Sequence, residues 1–127
     1  MIFVCGRFDI LHPGHVYLLK TAESLCDIKE PLHVYINSDA SCRKLGKPAL
    51  MDENDRFLMV HSLKIYDEIS LFDETDAREI VRKISPRIWV IGDDHENEDF
   101  SNLRCQMFFV KRTEHSSSAI KEKIKCQ

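Results

Sequence analysis

Residues 1–26, MIFVCGRFDILHPGHVYLLKTAESLC, give the clearest indication of the fold. The opening residues are apolar and typical of a buried β-strand, and apolar residues then recur at Leu18, Ala22 and Leu25, the spacing of one helix face. Pro13 suits the first turn of a helix, because its φ is fixed and it has no N–H. The stretch therefore predicts a strand, a tight loop and a helix.

Two histidines, His12 and His15, fall in the first turn of the predicted helix. Residues three apart lie on the same side of a helix, so both imidazoles can face one ligand. A helix start also offers unpaired N–H groups and a partial positive charge, which attract phosphate. Phosphate binding is the favoured interpretation. Structural histidines are one alternative, and metal ligation, which would need further ligands such as His95, is another.

Apolar runs and amphipathic stretches alternate along the rest of the chain. This alternation predicts one α/β domain over residues 1–127, with a five-stranded, mostly parallel sheet flanked by helices on both faces. The strands are predicted at 1–5, 32–37, 67–71, 87–91 and 106–110, and the helices at about 14–26, 52–64, 76–84 and 116–125. Ligands bind such sheets at the carboxyl ends of the strands. Polar segments follow four of the strands, at 6–12, 37–39, 92–94 and 112–118.

Composition excludes several classes of protein. The net charge of −3 argues against a general nucleic-acid binder, which is usually basic. The five cysteines form no C-x-x-C pair and are typical of buried thiols in a reducing compartment. No apolar run approaches the roughly 20 residues of a membrane span. We therefore expect a cytoplasmic protein with neither nucleic acid nor membrane as a partner.

Four motifs resemble those of the cytidylyltransferase-like nucleotidyltransferases, a family with a Rossmann-like fold. Residues 6–15, GRFDILHPGH, resemble the family signature G-x-F-D-x-x-H-x-G-H. Later motifs follow in the family's order: Asn54-Asp55-Arg56, Ile91-Gly92-Asp93-Asp94, and residues 112–118, RTEHSSS. Within the family the chain is most similar to glycerol-3-phosphate cytidylyltransferase, and next to the adenylyltransferase half of the heptose-phosphate enzymes.

The resemblance implies a role for each motif. The catalytic residues would contact the triphosphate and stabilise charge as pyrophosphate leaves: His12, His15, Lys44, Lys47 and Arg112. The nucleotide-binding residues would be Gly6, Arg7, Phe8, Asp9, Gly14, Gly92, Asp94, Thr113, Ser117 and Ser118. The acceptor-binding residues would be Asp39, Arg56, Asp93 and His95.

Several of these residues also have simpler interpretations. Asp9 and the pair Asp93 and Asp94 are common turn formers, and Arg56 could be an exposed arginine on a helix. Ser117 and Ser118 could simply cap the last helix.

The implied reaction is attack by the phosphate of a small phosphorylated acceptor on the α-phosphorus of a nucleoside triphosphate. The favoured substrates are CTP and glycerol 3-phosphate or a similar polyol phosphate. Adenylyl transfer from ATP to a heptose or other sugar phosphate is the alternative, and residues 37–41, NSDAS, favour it. A non-catalytic nucleotide sensor is the alternative from another class. The resemblance also implies a divalent cation, Mg²⁺, with Asp9 as a candidate ligand, and a homodimer.

The chain departs from the family pattern at three places. Leu45-Gly46-Lys47 reverses the family's L-K-G order, and we favour Lys47 over Lys44 as the contact to the α-phosphate. His95 stands where the glycerol-3-phosphate enzymes have tryptophan, and His115 stands where they have glycine. The choice of base and acceptor is therefore expected to lie in these segments.

Overall fold

The computed structural model of the chain describes residues 1–27, 30–111 and 123. The strands are β1 Ile2–Gly6, β2 Leu32–Asn37, β3 Glu68–Phe72, β4 Ile88–Gly92 and β5 Gln106–Val110. The helices are α1 Pro13–Ser24, α2 Asp39–Lys44, α3 Glu53–Leu63 and α4 Ala77–Ile84, and a 3₁₀ turn, Asp93–His95, follows β4. The predicted strands and first three predicted helices are confirmed to within two residues, whereas the predicted helix at 116–125 falls outside the described ranges.

The five strands form one parallel sheet in the order β3-β2-β1-β4-β5. Each of the four strand pairings is parallel, where the sequence predicted a mostly parallel sheet. Successive residues of a strand point to opposite faces, so Ile2 and Val4 join a core with helices α1 and α3. Phe3 and Trp89 pack on the other face with Ile80 of α4. Helices on both faces of the sheet confirm the Rossmann-like α/β fold.

Helix α2 is an element that the sequence analysis did not predict. Ser38 caps it, because its hydroxyl accepts a hydrogen bond from the Ser41 backbone N–H at 3.1 Å. The helix has only six residues and buries Ser41 and Cys42, so it shows no extended apolar stripe. A short helix of this kind gives too weak a periodicity for sequence-based recognition.

The cysteine of the first strand, Cys5, is partly buried, and Cys42 of α2 is fully buried. Burial raises the pKa of the Cys5 thiol to about 12, so the thiol stays protonated and unreactive. Cys5, Cys26, Cys42 and Cys105 are all free thiols.

The pairing of β1 leaves a crevice between β1 and β4 at the carboxyl ends of the strands. β1 pairs with β2 along its whole length, to Gly6 opposite Ile36. Its pairing with β4 ends at Phe3 opposite Trp89, so the carboxyl halves of β1 and β4 separate. The strand order continues from β1 through β2 and β3 on one side, and through β4 and β5 on the other. Parallel sheets bind ligands in the crevice at the point where the strand order reverses in this way.

Candidate functional site

The two histidines of the signature cap the start of α1. His12 is the residue before the helix, and its Nδ1 accepts a hydrogen bond from the Gly14 N–H at 3.0 Å. The His15 Nδ1 accepts one from the His12 N–H at 3.2 Å. The two rings stack with their centroids 3.9 Å apart. Backbone hydrogen bonds therefore fix both imidazoles side by side at the crevice edge.

These hydrogen bonds decide where each ring carries its proton. A ring nitrogen that accepts a hydrogen bond holds no proton, so each histidine is neutral with its proton on Nε2. Burial, with the neighbouring His12 as the next cause, lowers the pKa of His15 to about 4. At neutral pH the pair thus contributes two Nε2–H donors without a formal charge.

The structure corrects the expectation of unpaired backbone N–H groups at this helix start. The Gly14 N–H donates to His12, the His15 N–H donates to the His12 carbonyl at 3.0 Å, and Pro13 has no N–H. The donors offered here are therefore imidazole groups rather than backbone amides. The Gly14 N–H fixes the ring of His12, and the binding of the nucleotide by Gly14 stays a prediction.

The signature loop, residues 7–11, has an unusual backbone. Phe8 and Ile10 adopt left-handed conformations, with φ of 51° and 53°, which cost a non-glycine residue roughly 1–2 kcal/mol each. Phe8 is buried, and its ring centroid lies 5.4 Å from that of His15. A Cβ at Gly6 would lie 3.3 Å from the Phe8 ring, so the glycine gives this ring room. Phe8 is thus a core residue that supports His15 from behind.

Asp9 joins the signature loop to the lysine loop, residues 45–51. Its carboxylate is 1% exposed and accepts hydrogen bonds from the Leu50 N–H at 2.9 Å and the Met51 N–H at 3.0 Å. Both oxygens therefore already have backbone donors, which disfavours the predicted role of Asp9 as a metal ligand. Within residues 1–27 and 30–111, no group of three or more His, Cys, Asp or Glu is arranged to hold a metal ion.

Arg56 is fully buried and holds four segments of chain together. Its Nε donates to the Met51 carbonyl at 2.9 Å, and its Nη1 donates to the carbonyls of Arg7 and Asn37 at 2.8 and 2.6 Å. Its Nη2 pairs with the Asp39 carboxylate at 2.9 Å. The alternative of an exposed helix arginine is therefore wrong, whereas the contact of Arg56 with an acceptor stays a prediction that these four hydrogen bonds disfavour.

Asp39, also predicted to bind the acceptor, is the charged partner of Arg56. Burial alone would raise the pKa of this carboxyl, but hydrogen bonds from Arg56 and the Glu53 backbone bring the pKa below its usual value. Asp39 is therefore ionised at neutral pH and balances the buried guanidinium. It has a structural role in the described site.

The lysine loop lies against the signature loop. The Lys47 carbonyl accepts a hydrogen bond from Arg7 Nη1 at 3.3 Å, and the Lys47 N–H donates to the Cys42 carbonyl at 3.0 Å. Gly46 has a φ of 71°, a conformation that favours glycine and explains the reversed Gly-Lys order. Lys44 instead ends helix α2, with its side chain exposed. The structure therefore brings the backbone of Lys47 beside the signature.

The end of β4 forms a compact polar turn. A Cβ at Gly92 would lie 2.6 Å from Asp94 Oδ1, so only glycine lets this carboxylate fold back over the chain. His95 Nδ1 bonds to a Glu98 carboxylate oxygen, and its Nε2 lies 3.6 Å from Asp94 Oδ2. Arg78 of α4 pairs with Glu98 at 2.9 Å. Sequence analysis missed Glu98 and Arg78, because only the fold brings α4 beside this turn.

The predicted site residues fall into three groups. The signature loop, the end of β2 and the lysine loop meet around Arg56, at the carboxyl ends of β1 and β2. The turn Asp93–His95 follows β4, on the other side of the crevice. The predicted triphosphate contacts of the last motif lie outside the described residues: Arg112, Thr113, Ser117 and Ser118.

No helix within the described ranges is long and apolar enough to cross a membrane.

We predict that His15 titrates far below an ordinary histidine. Its pKa of about 4 lies below the 6.5 of an unperturbed histidine, so between these values the unfolded chain binds more protons than the folded one. The contribution of His15 to stability should be complete above pH 6.5 and should fall as the pH is lowered toward 4. Titration of the ring ¹⁵N shifts by NMR measures this pKa, and an Nδ1–H tautomer at pH 7 would contradict the assigned hydrogen bonds.

We predict that Arg56→Lys destabilises the fold. A lysine cannot reproduce the fork of four hydrogen bonds, so the free energy of unfolding should fall by about 3 kcal/mol in urea denaturation. The matched control is Arg43→Lys on exposed α2 surface, which should change it by less than about 0.5 kcal/mol. Unchanged stability together with a higher KM for the acceptor would instead support the predicted contact of Arg56 with the acceptor.

Comparison with known proteins identifies the same family that the sequence motifs resemble. Residues 3–123 match the cytidylyltransferase-like family. The bifunctional protein HldE of Helicobacter acinonychis is 37% identical over 98% of this chain, and that of Wolinella succinogenes is 36% identical over the same share. These matches cover 27% of either relative, so the chain spans about a quarter of their length.

Solved structures resemble the chain over most of its length. A lipopolysaccharide core biosynthesis protein from Thermoplasma volcanium superimposes with a TM-score of 0.68 at 28% identity, covering 91% of this chain and 97% of that one. A macrolide-efflux protein from Streptococcus pneumoniae gives 0.65 at 17% identity over 97% of this chain and 51% of that one, a likeness of fold alone. The match to the family model over residues 3–123 shows that this chain belongs to the cytidylyltransferase-like family.

Proposed function

We propose that this chain is a nucleotidyltransferase that transfers AMP from ATP to a heptose phosphate or another sugar phosphate, with release of pyrophosphate. The observation that carries the proposal is the pair of neutral Nε2–H donors on His12 and His15, stacked where β1 and β4 separate. A triphosphate in this crevice would present its oxygens to both donors. The rest of the assignment follows from the chemistry and from the relatives.

Nucleotidyl transfer requires positioning and stabilisation of charge more than a protein nucleophile. A phosphate oxygen of the acceptor forms the new bond to the α-phosphorus, while the bond from the α-phosphorus to the oxygen bridging to the β-phosphate breaks. Pyrophosphate leaves with the electron pair of that bond. His12 and His15 would stabilise the developing negative charge, because their donors are fixed before the reaction begins. Lys47 would add a positive charge from the neighbouring loop.

The choice of ATP and a sugar phosphate rests on the relatives. The HldE proteins correspond to the heptose-phosphate adenylyltransferases, the alternative acceptor class of the sequence analysis, and their similarity extends over nearly the whole chain. The Thermoplasma protein is described as a lipopolysaccharide core biosynthesis protein, which also favours a sugar acceptor. The sequence motifs favoured transfer of CMP from CTP to glycerol 3-phosphate, but no relative described above supports that reaction. Cytidylyl transfer is therefore the competing hypothesis.

A divalent cation would neutralise part of the triphosphate charge. The described residues offer no cage of carboxylates for it, and Asp9 is occupied by backbone donors. We therefore propose that Mg²⁺ enters with the nucleotide, held by phosphate oxygens and water, as is common for this ion. Binding of the triphosphate by Arg112, Thr113, Ser117 and Ser118, the homodimer and the cytoplasmic location remain predictions.

The proposed function predicts a specific pattern of pyrophosphate release. With Mg²⁺ present, ATP and a heptose phosphate should give a kcat/KM at least about tenfold above that of CTP and glycerol 3-phosphate. The reverse ranking would establish the cytidylyl reaction instead. Raised melting temperatures with nucleotide, but no turnover with any acceptor, would establish the sensor.

His15→Ala serves as the active-site control in the same assay. Losing one fixed donor to the transition state should lower kcat/KM by roughly 10²-fold. The matched variant His61→Ala replaces an exposed histidine of α3 and should retain normal turnover. Near-normal turnover of His15→Ala would contradict the phosphate role of the pair.

The lysine loop gives a second prediction. Lys47→Ala should lower kcat/KM more than Lys44→Ala does, because the hydrogen bond from Arg7 to the Lys47 carbonyl holds Lys47 beside the signature loop and the substitution removes its positive charge there. Lys64→Ala, a surface lysine at the end of α3, is the charge-matched control. A larger loss for Lys44→Ala would reverse the assignment of these lysines.

A further inference from the structure

A second concave site lies at the edge of the sheet opposite the crevice. It is a cavity of about 300 Å³ between the last turn of α4 and the residues that lead into β5. Its walls include Ser85 and Pro86, which precede β4, and Leu103, which precedes β5. Since all five strands are parallel, this edge carries their amino-terminal ends, away from His12 and His15.

The formal charges that line this cavity are both positive. Arg82 comes from α4 and Arg104 from the segment before β5, and no lining residue is acidic. The arrangement contrasts with the net charge of −3 of the whole chain. Both arginines are exposed, so their two like charges on one cavity attract an anion from solvent.

Neither arginine of the cavity has a partner within the described chain. Arg78 pairs with Glu98, and Arg87 pairs with Glu30. Arg82 and Arg104, in contrast, form no hydrogen bond or ion pair with any described residue. Their donor groups are thus available to a ligand, and a guanidinium matches the oxygens of a phosphate in a bidentate manner.

The remaining walls suit a small organic molecule. Ser85 and Asn102 carry a hydroxyl and an amide that can donate hydrogen bonds, while Pro86 and Leu103 are apolar. A volume of about 300 Å³ is at the lower end of the range for small-molecule sites. The cavity therefore combines cationic groups with neutral donors and apolar surface.

We propose that this cavity is a second binding site, for a small organic phosphate whose phosphate group lies between Arg82 and Arg104. Ser85 and Asn102 would bond to the remaining polar groups of the ligand, and its carbon atoms would pack on Pro86 and Leu103. This site is separate from the nucleotide crevice, and its existence does not depend on which reaction the crevice performs.

NMR titration of the full ¹⁵N-labelled chain tests the proposal. The probes are inorganic phosphate and phosphoglycolate, added at constant ionic strength, with glycolate as the comparison lacking a phosphate. Both phosphates should produce saturable shifts of the amides of 82, 85 and 102–105, and glycolate should produce much smaller ones. Equal shifts with glycolate, or no saturable shift with either phosphate, would overturn the proposal.

The double variant Arg82→Gln/Arg104→Gln identifies the residues responsible. Loss of charge-assisted hydrogen bonds should weaken phosphate binding at this site by on the order of tenfold or more. The signals of His12 and His15 should respond to phosphate as in the unmodified chain, which shows that the fold and the crevice are intact. Arg43→Gln, an exposed arginine of α2 outside the cavity, is the control and should leave the affinity unchanged. Unchanged affinity in the double variant would refute the role of the arginines.

Discussion

The buried guanidinium of Arg56 is the interaction on which the candidate site depends. A charge placed fully inside a protein is tolerated only when it is paired and its donors are satisfied. Here one carboxylate and three backbone carbonyls meet that requirement, and they come from four separate segments. The signature loop, the end of β2, the start of α2 and the lysine loop can therefore take only one mutual arrangement without leaving this charge unsatisfied.

That arrangement explains how a strained loop is maintained. Phe8 and Ile10 adopt left-handed conformations, which are unfavourable for residues other than glycine. The hydrogen bonds that Asp9 and Arg56 form with the surrounding chain offset this conformational cost. The signature loop leads directly into α1, where the hydrogen bonds of the helix cap fix the imidazoles of both histidines. Burial keeps His15 neutral, so the pair offers hydrogen-bond donors without the repulsion of two adjacent cations.

Much of the fold could be predicted from local patterns, and so could the location of the site. Apolar strands and helix starts are properties of short segments, and the predicted starts of α3 and α4 are confirmed to within one residue, with Asp52 and Asp76 as the observed caps. The roles of Asp9 and Arg56 could not be predicted in this way, because the partners of Asp9 lie 41 and 42 residues away and the most distant partner of Arg56 lies 49 residues away. An arginine that binds phosphate and one that is buried among carbonyls look the same in a sequence.

Local sequence patterns were enough to predict a mostly parallel α/β architecture, the resemblance to the family signature and the place of the paired histidines. Periodicity, proline and capping residues act over a few neighbours, and the sequence contains all of that information. The protonation of His12 and His15, the burial of Arg56, and the placement of Arg82 and Arg104 on one cavity became visible in the folded chain. Solvation, charge and hydrogen-bond partners depend on segments that are distant in the sequence, and folding brings these segments together.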